Sequence, residues 1–97
     1  MTTLETIKTY LAKEKPNFFK RHKAKEIGLF GSYARNEQHD DSDVDILIDF
    51  DEYPSLLEFM MMEDELSLLV GHPVDLVMKR SLKPHMGRQI LKEVVYL

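Results

Sequence analysis

The stretch Gly31-Ser32-Tyr33-Ala34-Arg35-Asn36-Glu37-Gln38-His39-Asp40-Asp41-Ser42-Asp43-Val44-Asp45-Ile46-Leu47 decides how this chain is read. An apolar run containing Ile27, Leu29 and Phe30 leads into it and reads as a strand ending at Gly31-Ser32. Gly31 permits a sharp turn and a close backbone approach to a ligand. A short helical turn is expected next, so the N–H groups around Ser32 and its hydroxyl can face an anion. Asp43 and Asp45 then open a second apolar run. Two apart on a strand, their carboxylates point to one face, with Cα atoms roughly 6–7 Å apart. Such a pair holds one hard cation, or shares two about 3.5–4 Å apart. Mg²⁺ favours carboxylates together with substrate phosphates, so an anion site and a metal site are expected side by side.

Two rival readings of the acids fail on the residues. Asp41-x-Asp43-x-Asp45 with Glu52 at the twelfth position imitates an EF-hand calcium loop. That loop needs glycine at its sixth position, where this chain has Ile46, the start of a run suited to a buried strand. An Asp-x-Asp of the haloacid dehalogenase kind would follow an apolar strand, whereas Asp43 precedes one.

The pattern Gly31-Ser32-x-x-Arg35 followed by Ser42-Asp43-x-Asp45 resembles the signature of the nucleotidyltransferase superfamily that includes DNA polymerase β and kanamycin nucleotidyltransferase. Given the short chain, the resemblance is to the minimal nucleotidyltransferases (MNT), the antitoxin half of HEPN/MNT toxin–antitoxin pairs. It runs from about Ile27 to the C-terminus. Val74-Asp75-Leu76-Val77 resembles the strand that carries the family's third carboxylate. Lys79-Arg80-x-Leu82-Lys83-Pro84 and Ile90-Leu91-Lys92-Glu93 resemble its closing segment. One departure is Asn36, where the family usually has glycine; asparagine tolerates left-handed backbone better than most residues.

The resemblance implies a function and a set of roles. Gly31, Ser32 and Arg35 would bind the nucleotide, with Arg35 either on phosphate or in a structural contact. Asp43, Asp45 and Asp75 would be the catalytic carboxylates and hold Mg²⁺, as a pair of ions in the usual arrangement. ATP would donate AMP to a tyrosine hydroxyl of a cognate HEPN ribonuclease toxin, silencing it. Two alternatives stay open. One is an antitoxin that acts by tight binding alone; the other is a small-molecule transferase of the aminoglycoside type. Neither a membrane nor a direct nucleic-acid partner is expected.

Composition bounds the rest. Ninety-seven residues, 43% of them apolar, predict one domain, 1–97, with a core but no room for a second lobe. The acceptor is therefore expected to arrive on a partner. There are no cysteines, which excludes disulfides and thiolate metal sites. No signal peptide or membrane span is evident, so a cytoplasmic location is expected. The net charge of −4 hides a pattern: residues 37–52 carry eight acids and no lysine or arginine, while residues 1–25 carry seven bases and two acids. Residues 79–97 carry five bases and one acid. Lys79 and Arg80 are candidate triphosphate contacts, and Asp49 shares the strand parity of Asp45.

The element order reads α-β-(short α)-β-α-β-α, an α/β fold with a small mixed β-sheet and flanking helices. Thr2 or Thr3 caps a first helix with Leu4, Ile7, Tyr10 and Leu11 on one face, and Pro16 starts a separate turn beyond its end. Strands are expected over Ala24–Phe30, Asp43–Phe50 and Pro73–Met78. Pro54-Ser55 opens a helix presenting Leu56, Phe59, Met60, Glu63, Leu66 and Leu69, ending near Gly71. Its run Met60-Met61-Met62 cannot lie wholly on one face, so part of it is a candidate partner surface. A last helix from Ser81–Pro84 turns Met86, Ile90, Leu91, Val94 and Val95 inward.

Overall fold

The computed structural model describes residues 2–97; Met1, counted in the expected domain and N-terminal helix, lies outside the described residues. The elements are α1 (Leu4–His22), β1 (Ala24–Phe30), α2 (Gly31–Ala34), β2 (Val44–Phe50), α3 (Leu56–Val70), β3 (Val74–Met78), a 3-10 turn (Lys79–Ser81), α4 (Pro84–Glu93) and β4 (Val95–Tyr96). The sheet order is β3-β2-β1-β4. β1 runs antiparallel to β2 and to β4, while β2 and β3 are parallel. This is the mixed sheet with flanking helices that the sequence led us to expect.

Strand alternation gives the sheet two unlike faces. Val44, Ile46, Ile48 and Phe50 of β2 join Ile27 and Leu29 of β1 and Val74 and Leu76 of β3 in one core. Ile7, Leu11 and Phe18 of α1 and Met62, Leu66 and Val70 of α3 close that core from above. Each such side chain, fully buried, contributes about 1.5–3 kcal/mol relative to exposure. Asp45 and Asp75 have the opposite parity and so lie on the other face.

Local signals hold the helices in place. The Thr3 hydroxyl accepts from the Thr6 N–H at 3.3 Å, and the Ser55 hydroxyl accepts from the Glu58 N–H at 3.2 Å. Gly71 ends α3 in left-handed conformation, φ +72°, and donates its N–H to the Ser67 carbonyl. The outer edge of β3 is covered by α3 side chains. Val74 N–H donates to Ser67 Oγ at 3.0 Å, and Leu76 N–H to Glu63 Oε2 at 2.9 Å. Those contacts leave fewer free edge donors for another strand.

Four details differ from the sequence reading. Pro16 lies inside one continuous α1 instead of starting a new turn. It is exposed, as is Ala12, whose carbonyl loses its helical partner to the proline and can turn to water. Tyr10, expected inward, is exposed. The inner stripe of α3 is Met62, Leu66 and Val70 at intervals of four, so Leu56 and Met60 point outward together with Leu57, Met61 and Leu68. Finally, α4 stops at Glu93 and a fourth strand follows; Met86 and Leu91 are exposed. Among the described residues no helix is long and apolar enough to cross a membrane.

Candidate active site

The site is built where β1 ends and β2 and β3 begin. Phe30, the last residue of β1, pairs with Asp45, and Asp45 pairs in turn with Asp75 across the parallel β2–β3 ladder. Neighbouring strands lie about 4.8 Å apart, so the Asp45 and Asp75 side chains rise from adjacent points on one face. Asp43 sits just before β2 and is exposed, as is Asp75, while Asp45 is half-buried.

Gly31 touches this group directly. Its φ is +74°, in the left-handed region. A Cβ added there would meet Asp45 Oδ2 at 2.0 Å. Glycine is therefore required twice, by backbone conformation and by the close approach of the carboxylate. Ser32 follows in α2 and is half-buried; its carbonyl accepts the Glu37 N–H at 2.8 Å. Asn36, which stands in place of the family's usual glycine, has φ +59°, so the turn is made by a residue suited to it.

The carboxylates strain one another. Burial, followed by the neighbouring charges of Asp75 and Asp43, pushes the Asp45 carboxyl up to about 6. Arg35 offsets this in part, whereas Glu93 adds to it. A crowded set of acids, with Asp45 raised in proton affinity, is a donor set suited to a hard divalent cation, which would relieve the repulsion. Among the described residues no group of three acid, imidazole or thiol side chains is arranged to hold a metal ion by itself. Mg²⁺ keeps several waters and takes further ligands from a triphosphate, so the protein need supply only part of its ligands.

Arg35 is held by a residue that sequence reading did not single out as functional. Its Nη1 donates to Glu93 Oε2 at 3.0 Å and to Oε1 at 3.2 Å. The Gly31 N–H donates to the same Glu93 Oε1 at 3.0 Å. Glu93 stands in the closing segment quoted above, but nothing local in the sequence links it to residues 62 and 58 positions earlier.

Other candidates lie elsewhere. Asp49 is four residues along β2 from Asp45, about 13 Å at normal strand rise. It accepts from the Tyr53 hydroxyl at 3.0 Å and faces Lys25 at 3.8 Å. Lys79, in the 3-10 turn that follows β3, is four residues on from Asp75 and pairs with Glu26 at 2.6 Å. The Arg80 guanidinium stacks on the Tyr53 ring, 3.5 Å from its centroid. Tyr33 is buried in the core beside His72.

Known proteins resemble this chain in sequence and fold. The family model described as nucleotidyltransferase domain matches residues 8–97. The protein adenylyltransferase MntA of Thermococcus cleftensis is 52% identical over 97 residues, covering 100% of this chain and 98% of that protein. A solved structure designated a candidate minimal nucleotidyltransferase superposes with a TM-score of 0.83 at 35% identity, covering 99% of this chain and 97% of the other. A crystal structure of a toxin–antitoxin with AMP-PNP matches with a TM-score of 0.72 at 25% identity, over 98% of this chain and 72% of that one. With a family model matched over most of its length and a relative alike from end to end, this chain belongs to the nucleotidyltransferase-domain family, among its minimal members.

Proposed function

We propose that this protein is an adenylyltransferase antitoxin that moves AMP from ATP to a tyrosine hydroxyl of a cognate HEPN ribonuclease toxin. The observation that carries the reading is the in-register pairing of Asp45 with Asp75 on one face, with Gly31 pressed against Asp45. The adenylyltransferase relative and the toxin–antitoxin neighbour with a bound ATP analogue support the same reading.

Asp43, Asp45 and Asp75 would hold Mg²⁺. When bound, the metal would activate the acceptor hydroxyl and steady the leaving pyrophosphate. Gly31 leaves room for the carboxylates to approach the backbone, and Ser32, at the turn beside them, offers N–H and hydroxyl donors to the triphosphate. The acceptor oxygen bonds to the α-phosphorus, the bond from that phosphorus to the bridging oxygen of pyrophosphate breaks, and the hydroxyl proton leaves. Asp75 accepts that proton if it lies within hydrogen-bond reach, and otherwise completes the metal ligands. An AMP-tyrosine carries negative charge that should repel RNA, by the logic that applies to phosphorylation.

Leu56, Leu57, Met60, Met61 and Leu68 form an exposed apolar face on α3, of the kind a protein partner covers. A cytoplasmic location fits a toxin that cleaves RNA.

Intact-mass spectrometry tests the reading. The HEPN protein is incubated with this protein, Mg²⁺ and each nucleoside triphosphate in turn, beside an Asp43→Ala/Asp45→Ala control. Mass gains in AMP-sized steps with ATP, absent in the control, are expected. A stable complex that neutralises the toxin with no mass gain would replace the enzyme by a binding antitoxin.

A further inference from the structure

Glu93 stands where three parts of the site meet. One of its carboxylate oxygens accepts both the Gly31 N–H at 3.0 Å and Arg35 Nη1 at 3.2 Å, and the other accepts Arg35 Nη1 at 3.0 Å. Gly31 in turn lies against Asp45 Oδ2. Arg35 Nε also faces Glu37 Oε2 at 3.5 Å, so release from Glu93 would free its Nη1 edge, which lies on the side of Gly31 and Asp45. Its charge already acts on Asp45, lowering that group's proton affinity. A guanidinium pairs with a carboxylate through two parallel hydrogen bonds and would occupy the oxygens a cation needs.

The backbone around Glu93 is fixed. Val95 and Tyr96 pair with Leu29 and Gly28 as β4. A Cβ on Gly28 would lie 2.6 Å from Val94 Cγ2 and 3.1 Å from the Val95 carbonyl oxygen, so the chain just after Glu93 is pressed onto β1. The Leu97 N–H adds a bond to the Ile27 carbonyl at 3.0 Å. Glu93 thus starts from an anchored segment and reaches to Arg35, which is exposed and long.

From this geometry we infer that Glu93 is a positioning residue: its carboxylate holds Arg35 away from Asp43 and Asp45 and so keeps those oxygens open to the divalent cation. The inference rests on the metal-binding reading given above, and it assigns the closing segment of the chain a role in preparing the site.

Binding of Mn²⁺ alone, followed by electron paramagnetic resonance of the free ion, tests this without any acceptor or nucleotide. Glu93→Gln keeps an oxygen for the Gly31 N–H but loses the charge that holds Arg35. It should weaken Mn²⁺ binding about tenfold, the scale typical of lost outer partners at metal sites. Adding Arg35→Gln to Glu93→Gln should restore binding to near that of the unmodified protein. A residue needed only for the fold would give no such rescue. Glu93→Asp, which keeps the charge but is one methylene short, should lose less and be rescued the same way; it serves if Glu93→Gln does not melt cooperatively. Unchanged or tighter Mn²⁺ binding by Glu93→Gln overturns the inference, as does a loss that Arg35→Gln fails to repair. If the unmodified protein binds Mn²⁺ no better than Asp43→Asn/Asp45→Asn, the metal reading itself falls, and this inference with it.

Discussion

The two ends of the same strands treat charge in opposite ways. At the far end, the charges have partners. Glu26 meets Lys79 at 2.6 Å, Glu52 meets Lys23 at 2.9 Å, Asp49 faces Lys25 and the Tyr53 hydroxyl, and Arg80 lies on the Tyr53 ring. At the near end, the charges of Asp43 and Asp75 bear on the half-buried Asp45, and the nearby cation Arg35 is paired with Glu93 and Glu37. Ordinary folding pressure produces the first pattern, since like charges crowded together cost stability. The second persists in a folded protein where function requires it, as perturbed acids cluster at functional sites. The contrast separates acids of identical type on one strand: Asp45 sits among like charges, whereas Asp49, four residues on, is paired.

Asp45→Asn should break this contrast most severely. Adenylyl transfer is expected to fall by about a thousandfold or more, because the proposed metal site would lose a ligand. Metal-free protein should move the other way. The folded-state carboxyl titrates at about 6, above its unfolded value, so folding favours the protonated form. That favourable contribution is complete below pH 4 and is lost as pH rises through about 6, leaving the apo protein destabilised at neutral pH. Removing the charge should therefore stabilise the metal-free fold by about 1 kcal/mol, after discounting for solvent screening of a half-exposed group. Calorimetry without metal would read this as a Tm about 4 °C higher. A fall in Tm at neutral pH would show that Asp45 is satisfied without a cation. Asp49→Asn should leave transfer intact.

Gly31 and Gly71 form a second matched pair, with nearly equal φ of +74° and +72°. A Cβ on Gly31 strikes Asp45, whereas one on Gly71 meets nothing within 4 Å. Gly71→Ala should cost only the left-handed backbone, about 1 kcal/mol, with transfer unchanged. Gly31→Ala adds displacement of the Asp45 carboxylate, and about a hundredfold loss of kcat/KM is expected, since small misplacements at a reacting centre have effects of that size. Equal kinetics for the two variants would mean that the contact with Asp45 has no catalytic consequence.

The same titration sets a smaller pH effect. Metal binding needs ionised carboxylates, so it releases protons and weakens in acid. Between pH 7 and pH 5, Mn²⁺ affinity is expected to fall about tenfold, since one carboxyl titrates at about 6 within that window. Isothermal titration across that range in buffers of different ionisation heat would count the protons released. A flat profile would place the Asp45 pKa well below the window.

Much of this arrangement was legible because it is local. The strands, the Thr3 and Ser55 caps, the glycine after α3 and the left-handed Asn36 each follow from residues within a few positions of one another. Strand parity alone set Asp75 opposite Val74 and Leu76, the face on which it lies. What was missed depends on distant parts of the chain. β4 is two residues long and is a strand only because Gly28 and Leu29 lie beside it. Pro16 stays helical because the stripe of Ile7, Leu11 and Phe18 is anchored in the core on both sides of it. The inner face of α3 was misjudged because its sequence is apolar almost all round, so periodicity could not choose between Met60 and Met62. Glu93 was visible as part of a resemblance, but its contacts span 62 residues to Gly31 and 58 to Arg35.

The smallest effect belongs to the paired end. Lys79 bonds Glu26 at 2.6 Å and lies over the Tyr96 ring at 5.6 Å, yet both members of the ion pair are about one-third exposed. Solvent screens such a pair, and the lysine must be ordered to make it, so it contributes about 0.2–1 kcal/mol. Lys79→Met keeps much of the contact with Tyr96 and removes only the charge. Its Tm should fall by at most a few degrees, with the difference shrinking further in high salt. Transfer kinetics and the KM for ATP should match the unmodified protein, because Lys79 lies in the turn beyond the end of β3 remote from Asp75 and is held by Glu26. A KM raised several-fold would instead bring Lys79 to the triphosphate, and the division between a charge-paired end and a catalytic end of the sheet would have to be redrawn.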